Sequence, residues 1–160
     1  MTTTSAVNVE SVNYVKVEPI GIRASLLIDG ARLPKRAYDT DAGLDLYTPI
    51  DFTLMPHKHL KVSTGVAMEI PKNFFGMVQA KSGLAAKHGI NTFGNVIDSS
   101  YRGSISVILI NYGDEPLHFG QGDKIAQLII IPCSLQNLIE VPYEKLSQTE
   151  RGIKGFGSTS

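Results

Sequence analysis

Four short stretches of the chain carry side chains whose types and spacing could do chemistry. The first is Ala42-Gly43-Leu44-Asp45-Leu46, preceded by Asp39 and Asp41. In an extended chain alternate carboxylates lie on one face, which could hold a hard cation directly or through its waters. An EF-hand is excluded, because Gly43 and Ile50 stand where an oxygen ligand and the bidentate glutamate belong. The competing reading is a turn with solvated acids. The second stretch is Lys81-Ser82-Gly83, at the start of the one segment that reads as helix. A helix start presents free N–H groups and the positive end of the dipole, so it suits phosphate. Lysine adds a point charge and serine a hydroxyl donor. A plain cap, with Ser82 as N-cap and Gly89 closing the helix, is the alternative.

The third stretch is Gly94-Asn95-Val96-Ile97-Asp98-Ser99-Ser100-Tyr101-Arg102-Gly103. An aspartate closing an apolar strand, with an aromatic three residues on, could be a base beside a stacking platform. It could equally be a hairpin turn with Tyr101 packed on the core and Arg102 in an ion pair. The fourth is the end of the chain, Arg151-Gly152-Ile153-Lys154-Gly155-Phe156-Gly157-Ser158-Thr159. Its glycines expose N–H groups, and its arginine, lysine, serine and threonine all donate to phosphate. It lacks the Walker spacing. Phe156 between two glycines could be a movable lid that stacks on a base. The bland reading is a disordered end. His57 and His59 alternate on an expected strand, but two histidines make an incomplete metal site. His88 and His118 receive no role.

These groups must be positioned by something. The 160 residues fit one domain with a real core, and charges balance at 15 basic and 15 acidic residues. No basic tract stands out, so direct nucleic-acid binding is not expected. One cysteine, Cys133, excludes an intramolecular disulfide and a cysteine-based zinc site. No apolar run reaches transmembrane length and no secretory signal is visible, which leads to the expectation of a soluble intracellular protein. Apolar patches are short and rich in branched residues: 24–28, 60–66, 74–79, 105–111 and 125–131. Turn residues close most of them, which predicts an all-β sandwich or barrel. The expected organisation is a mostly flexible segment 1–20, a β domain 21–142, and a flexible tail 143–160.

Taken in order, and with Gly122–Leu128 between the third and the fourth, these stretches resemble the five motifs of the trimeric dUTPase family. They are Ala42–Leu46, Lys81–Ala85, Gly94–Asp98 with Tyr101-Arg102-Gly103, Gly122-Asp123-Lys124-Ile125-Ala126-Gln127-Leu128, and Arg151–Thr159. The match runs from about Ala37 to the end of the chain. The resemblance implies a jelly-roll-like, distorted β-barrel or sandwich with one short helix, assembled as a homotrimer with three sites at subunit boundaries. It implies hydrolysis of dUTP to dUMP and pyrophosphate with Mg²⁺. Asp98 would orient and deprotonate the attacking water, and Tyr101 would pack under the deoxyribose. The strand Gly94, Asn95, Val96, Ile97 would read uracil through its backbone. Asp45 would hold a water of the metal. Lys81, Ser82, Gly83 and Gln127 would meet phosphate. The tail would close with Phe156 over the base and Arg151 on the terminal phosphate, Lys154, Gly157, Ser158 and Thr159 adding contacts.

This chain departs from the usual family pattern in a few places. Ala80-Lys81 replaces proline-arginine, Asn95 replaces a glycine, and Lys154 and Ser160 replace glycines of the tail. Two rivals are weighed. dCTP deaminases share the fold and place a proton-shuttling glutamate ten residues after the motif-three aspartate; here that position is Ile108, which cannot move a proton. A non-catalytic nucleotide-sensing or protein-binding trimer would need neither Asp98 nor the tail.

Overall fold

A computed structural model describes residues 21–155, and the expected flexibility of residues 1–20 lies outside them. Branched and aromatic residues at period two set the strands. They are β1 (Arg23–Leu26), β2 (Gly43–Tyr47), β3 (Phe52–Leu54), β4 (His59–Ser63), β5 (Val66–Glu69) and β6 (Phe74–Gln79). The helix α1 (Ser82–His88) follows, then β7 (Ile90–Phe93), β8 (Val96–Ile97), β9 (Ser106–Asn111), β10 (Leu117–Phe119), β11 (Lys124–Pro132) and a 3₁₀ turn at Tyr143–Lys145. The result is the all-β fold with one short helix that the turn spacing predicts. Among the described residues no helix is long and apolar enough to cross a membrane.

A four-stranded sheet runs β2-β11-β6-β8 and a three-stranded sheet runs β4-β9-β7, with the pairs β1-β5 and β10-β3 beside them. All pairings are antiparallel. The inward faces meet in one core that includes Leu46, Val66, Val78, Ile90, Val107, Leu109, Ile125 and Leu128. Each such leucine or valine contributes roughly 1.5–3 kcal/mol by burial. β9 shows the alternation cleanly: Val107, Leu109 and Asn111 turn inward, and the residues between them are half-buried. Asn111 is the polar exception. Its amide donates to the carbonyls of Leu54 (3.2 Å) and Glu115 (2.8 Å) and accepts from the Gly113 N–H (2.8 Å), which satisfies a fully buried side chain.

α1 differs from the expectation at its start. Ser82 is the first helical residue and not the cap; Lys81 takes the N-cap place with extended backbone and no side-chain capping bond. Lysine has no oxygen to offer, so the first N–H groups of the helix find no side-chain acceptor there. Gly89 closes the helix as expected, at φ 65°, a conformation any other L residue would adopt under strain. After β11 the chain leaves the body, and residues 134–155 are exposed throughout.

Candidate functional site

The ends of β2, β6 and β11 gather one group of polar side chains. Asp45, on β2, is 4% exposed. The Lys81 ammonium donates to its Oδ1, and the Lys124 ammonium donates to its Oδ2 at 2.7 Å. Burial is the strongest single influence and pushes this carboxyl up. The hydrogen bonds from Lys124 and then Lys81, with their charges, outweigh it and hold Asp45 below the usual carboxylate range. The same contact raises Lys124. Gln127 stands directly across from Asp45 in the β2–β11 register and donates to the Ala80 carbonyl at 3.0 Å. A Cβ at Gly43 would lie 2.2 Å from the Gln127 Oε1, so glycine here lets that amide lie across β2. Ser82 and Gly83 are exposed beside Lys81, and a Cβ at Gly83 would meet nothing within 4 Å. The structure therefore brings Asp45, Lys81, Ser82, Gly83 and Gln127 to one neighbourhood, as the motifs predict.

Two expectations are corrected here. Asp39 and Asp41 do not share a face with Asp45, because they lie in a turn before β2 begins. Asp41 accepts the Tyr38 N–H at 2.9 Å within that turn. Among the described residues no three His, Cys, Asp or Glu side chains converge as a metal site. Nor do His57 and His59 alternate on a strand. His57 sits in the preceding turn at φ 56°, 3.3 Å from Asp114, while His59 opens β4 and meets Phe93 edge-on.

A second group surrounds β8. Asp98 follows directly on that strand and opens onto a pocket of about 220 Å³ shared with Lys61, Gly94, Val96, Ile97, Tyr101, Ser106 and Ile108. The Tyr101 N–H donates to the Asp98 carbonyl (3.1 Å), a turn that sets aspartate and ring on the same pocket. The Tyr101 hydroxyl donates to the Ser104 carbonyl (3.1 Å), and the residue is 45% exposed, so it is not packed in the core. Asn95 accepts the Val78 N–H at 2.8 Å through its carbonyl and closes the β7–β8 connection through Nδ2 to the Thr92 carbonyl at 3.4 Å. Ile108 forms an apolar wall where a deaminase would need an acid. Arg102 is an ion-pair residue, 3.8 Å from Glu69.

The two groups do not meet within one chain. The Asp98 pocket includes none of Asp45, Lys81, Ser82, Gly83 or Gln127. β6 carries Gln79 opposite Gln127 and Gly76 opposite Ile97. Those anchor points lie about 10 Å apart along the strand, with Lys81 beyond one and Asp98 beyond the other. The last group is also separate. Arg151 is exposed, and its Nε donates to the Lys154 carbonyl at 3.1 Å. Phe156, Gly157, Ser158 and Thr159 lie outside the described residues. Lys124 and Lys61 are the residues that motif reading leaves without a role. Regular alternation along β11 would put Lys124 on the other face from Gln127, so no local signal flags it, and nothing local singles out Lys61.

These features define an all-β protein with a carboxylate clamped by two lysines beside a helix start, apart from an aspartate pocket. The dUTPase family model matches residues 29–160. The chain is 43% identical over 141 residues to the deoxyuridine 5′-triphosphate nucleotidohydrolase of Clostridium tetani, covering 86% of this chain and 95% of that protein. Its identity to the mouse (Mus musculus) protein of the same name is 41% over 138 residues, covering 86% and 84%. Among solved structures, the dUTPase of Staphylococcus bacteriophage 80alpha with dUPNHPP superimposes at TM-score 0.82 with 28% identity, covering 88% of this chain and 99% of that one. A dUTPase mutant of phage phi11 of S. aureus, solved with a structural Mg(II) ion, superimposes at TM-score 0.72 with 26% identity, covering 78% and 99%. The chain belongs to the dUTPase family.

Proposed function

We propose that this protein hydrolyses dUTP to dUMP and pyrophosphate, which keeps uracil out of DNA and supplies dUMP for thymidylate synthesis. The observation that carries the reading is Asp98, an exposed carboxylate at the mouth of a pocket whose wall is the half-exposed Tyr101. Its carboxylate accepts the proton of the attacking water and aims it, and general-base help of this kind contributes a factor of about 10²–10⁴. The Tyr101 ring supports the sugar face, held in place by its hydroxyl on Ser104. Ser82, Gly83 and Gln127 bind phosphate oxygens, while Arg151 and Lys154 arrive with the tail 143–160 when it closes Phe156 over the base. A protein-binding or sensing trimer would have no use for such a base, and that alternative is not favoured.

The donor set near Asp45 fits Mg²⁺ only in company. One carboxylate, already shared by two ammonium groups, is too little for a bare cation, but it can accept from a metal-bound water once a triphosphate has brought the ion. When bound, Mg²⁺ neutralises phosphate charge and polarises the reacting phosphorus. Asp45 would hold the ion through its waters, and Lys81 would be free to turn from that carboxylate to a phosphate oxygen.

The separation of the Asp45 and Asp98 groups within one chain supports sites built between copies in a homotrimer. Exposed Leu135, Leu138, Ile139, Val141, Tyr143 and Leu146 give the chain after β11 an apolar surface to bury. Sedimentation at micromolar concentration is expected to give about three times the 17.4 kDa chain mass; a clean monomer refutes the shared site. A nucleoside triphosphate substrate supports the soluble interior of the cell as the place of action, with no membrane or nucleic-acid partner expected.

Pyrophosphate release measured with dUTP, dCTP, dTTP and UTP tests the activity. Release from dUTP alone is expected, and comparable release from UTP or dCTP overturns the assignment. Lys81 gives a sharper test of the phosphate group. Lys81→Arg keeps the charge and should retain substantial activity. Lys81→Ala loses a charge-assisted contact of roughly 1.5–3 kcal/mol, a tenfold to hundredfold drop in kcat/KM. An alanine variant equal to wild type removes Lys81 from the site.

A further inference from the structure

β11 contains an irregularity with a functional consequence. Lys124 pairs with Tyr47, but Ala126 pairs with Leu46 and Gln127 with Asp45, so the register shifts by one residue between Lys124 and Ala126. Lys124 and Gln127 are three apart, and in a regular strand they would point to opposite faces. The extra residue cancels that. Ile125 and Ala126 are both buried in succession, while Lys124 and Gln127 both come out on the Asp45 face. A bulge of this kind re-aims a side chain. Here it delivers the Lys124 ammonium to Asp45 Oδ2, leaving Oδ1 to Lys81.

We infer that Lys124 is a positioning residue for the metal step, acting through Asp45; this rests on the proposed dUTP hydrolysis. Asp45 has two partners, one on each oxygen. Lys81 stands beside Ser82 at the start of α1 and can turn to phosphate. Lys124 stays on Oδ2 and keeps the carboxylate aimed at the moment Lys81 departs. Without it, the carboxylate would lose its last cation as the hydrated metal arrives. Supporting partners of this kind typically change metal affinity by about 10–100-fold.

The test measures affinity for a dUTP analogue with an imido bridge at the scissile bond, with and without Mg²⁺, by calorimetry on the full-length protein. Wild type should bind more tightly with metal. Lys124→Met should bind the metal-free analogue as wild type does and lose about tenfold or more of the metal's enhancement. Lys124→Arg should restore most of it, and melting temperatures identify any variant that fails to fold. An unchanged enhancement in Lys124→Met overturns the proposal. So does an equal loss with and without metal, which would make Lys124 a direct phosphate ligand. If wild type itself does not bind the analogue, the failure belongs to the proposed function and not to Lys124.

Discussion

Asp98→Asn is expected to bind dUTP and leave it intact. The amide matches the carboxylate in shape, so the β8 end, the Tyr101 turn and the pocket they share should persist. What disappears is a lone pair basic enough to take a proton from water. The expected loss in kcat is a factor of about 10²–10⁴, or roughly 3–5 kcal/mol of barrier, with KM within a few-fold of wild type. Pyrophosphate release over hours, paired with calorimetric titration of the nucleotide, separates the two quantities. Turnover at the wild-type rate removes Asp98 from the chemistry. Loss of binding together with turnover would instead make it a ligand contact.

Deleting residues 150–160 is expected to leave a folded protein that barely turns over. The described part of that segment is exposed, and its hydrogen bonds are local: Gly152 to Thr149, and Arg151 and Lys154 to one another. Among the described residues, none of the core side chains comes from it. Its removal should therefore change the melting temperature by no more than about a degree or two, since surface losses away from packed groups are small. Activity depends on it differently. In the proposed function Arg151 and Phe156 meet the nucleotide as the tail closes, and such closure would exclude water and align the phosphates. A fall in kcat/KM of at least about 10²-fold is expected from lost positioning. A sharp drop in melting temperature with activity intact would assign the tail to the fold.

The strands are legible in the sequence because their signals are local. Apolar runs such as 74–79 and 105–111 end at turn residues, and they stand as β6 and β9 with bounds within a residue. The helix and its Gly89 end are legible for the same reason. Its start is less so: serine is the better cap in general, but the chain enters the helix extended at Lys81, one residue early. The site is legible as motifs and much less as geometry. Lys81 reads as a phosphate lysine, yet it rests on Asp45, because a buried carboxylate 36 positions away offers it a stronger partner. That pairing depends on β2 and β6 both flanking β11, which no local pattern announces. Lys124 escapes notice for a related reason. Counting by twos puts it on the wrong face, and only the bulge corrects the count.

The strand order also governs how the chain can be made. β11 is the last strand among the described residues, yet it lies in the middle of its sheet, between β2 and β6. During synthesis β2 leaves the ribosome about 80 residues ahead of it, roughly 4–16 s at ordinary elongation rates. Through that interval β2 and β6 each present an unpaired edge with apolar side chains and no strand to receive them. A ribosome that stalls before residue 124 therefore releases a fragment with two sticky edges and no means of closing its sheet. Only the emergence of β11 converts those edges into ladder. The nascent chain thus exposes two aggregation-prone edges until the residues of β11 have emerged.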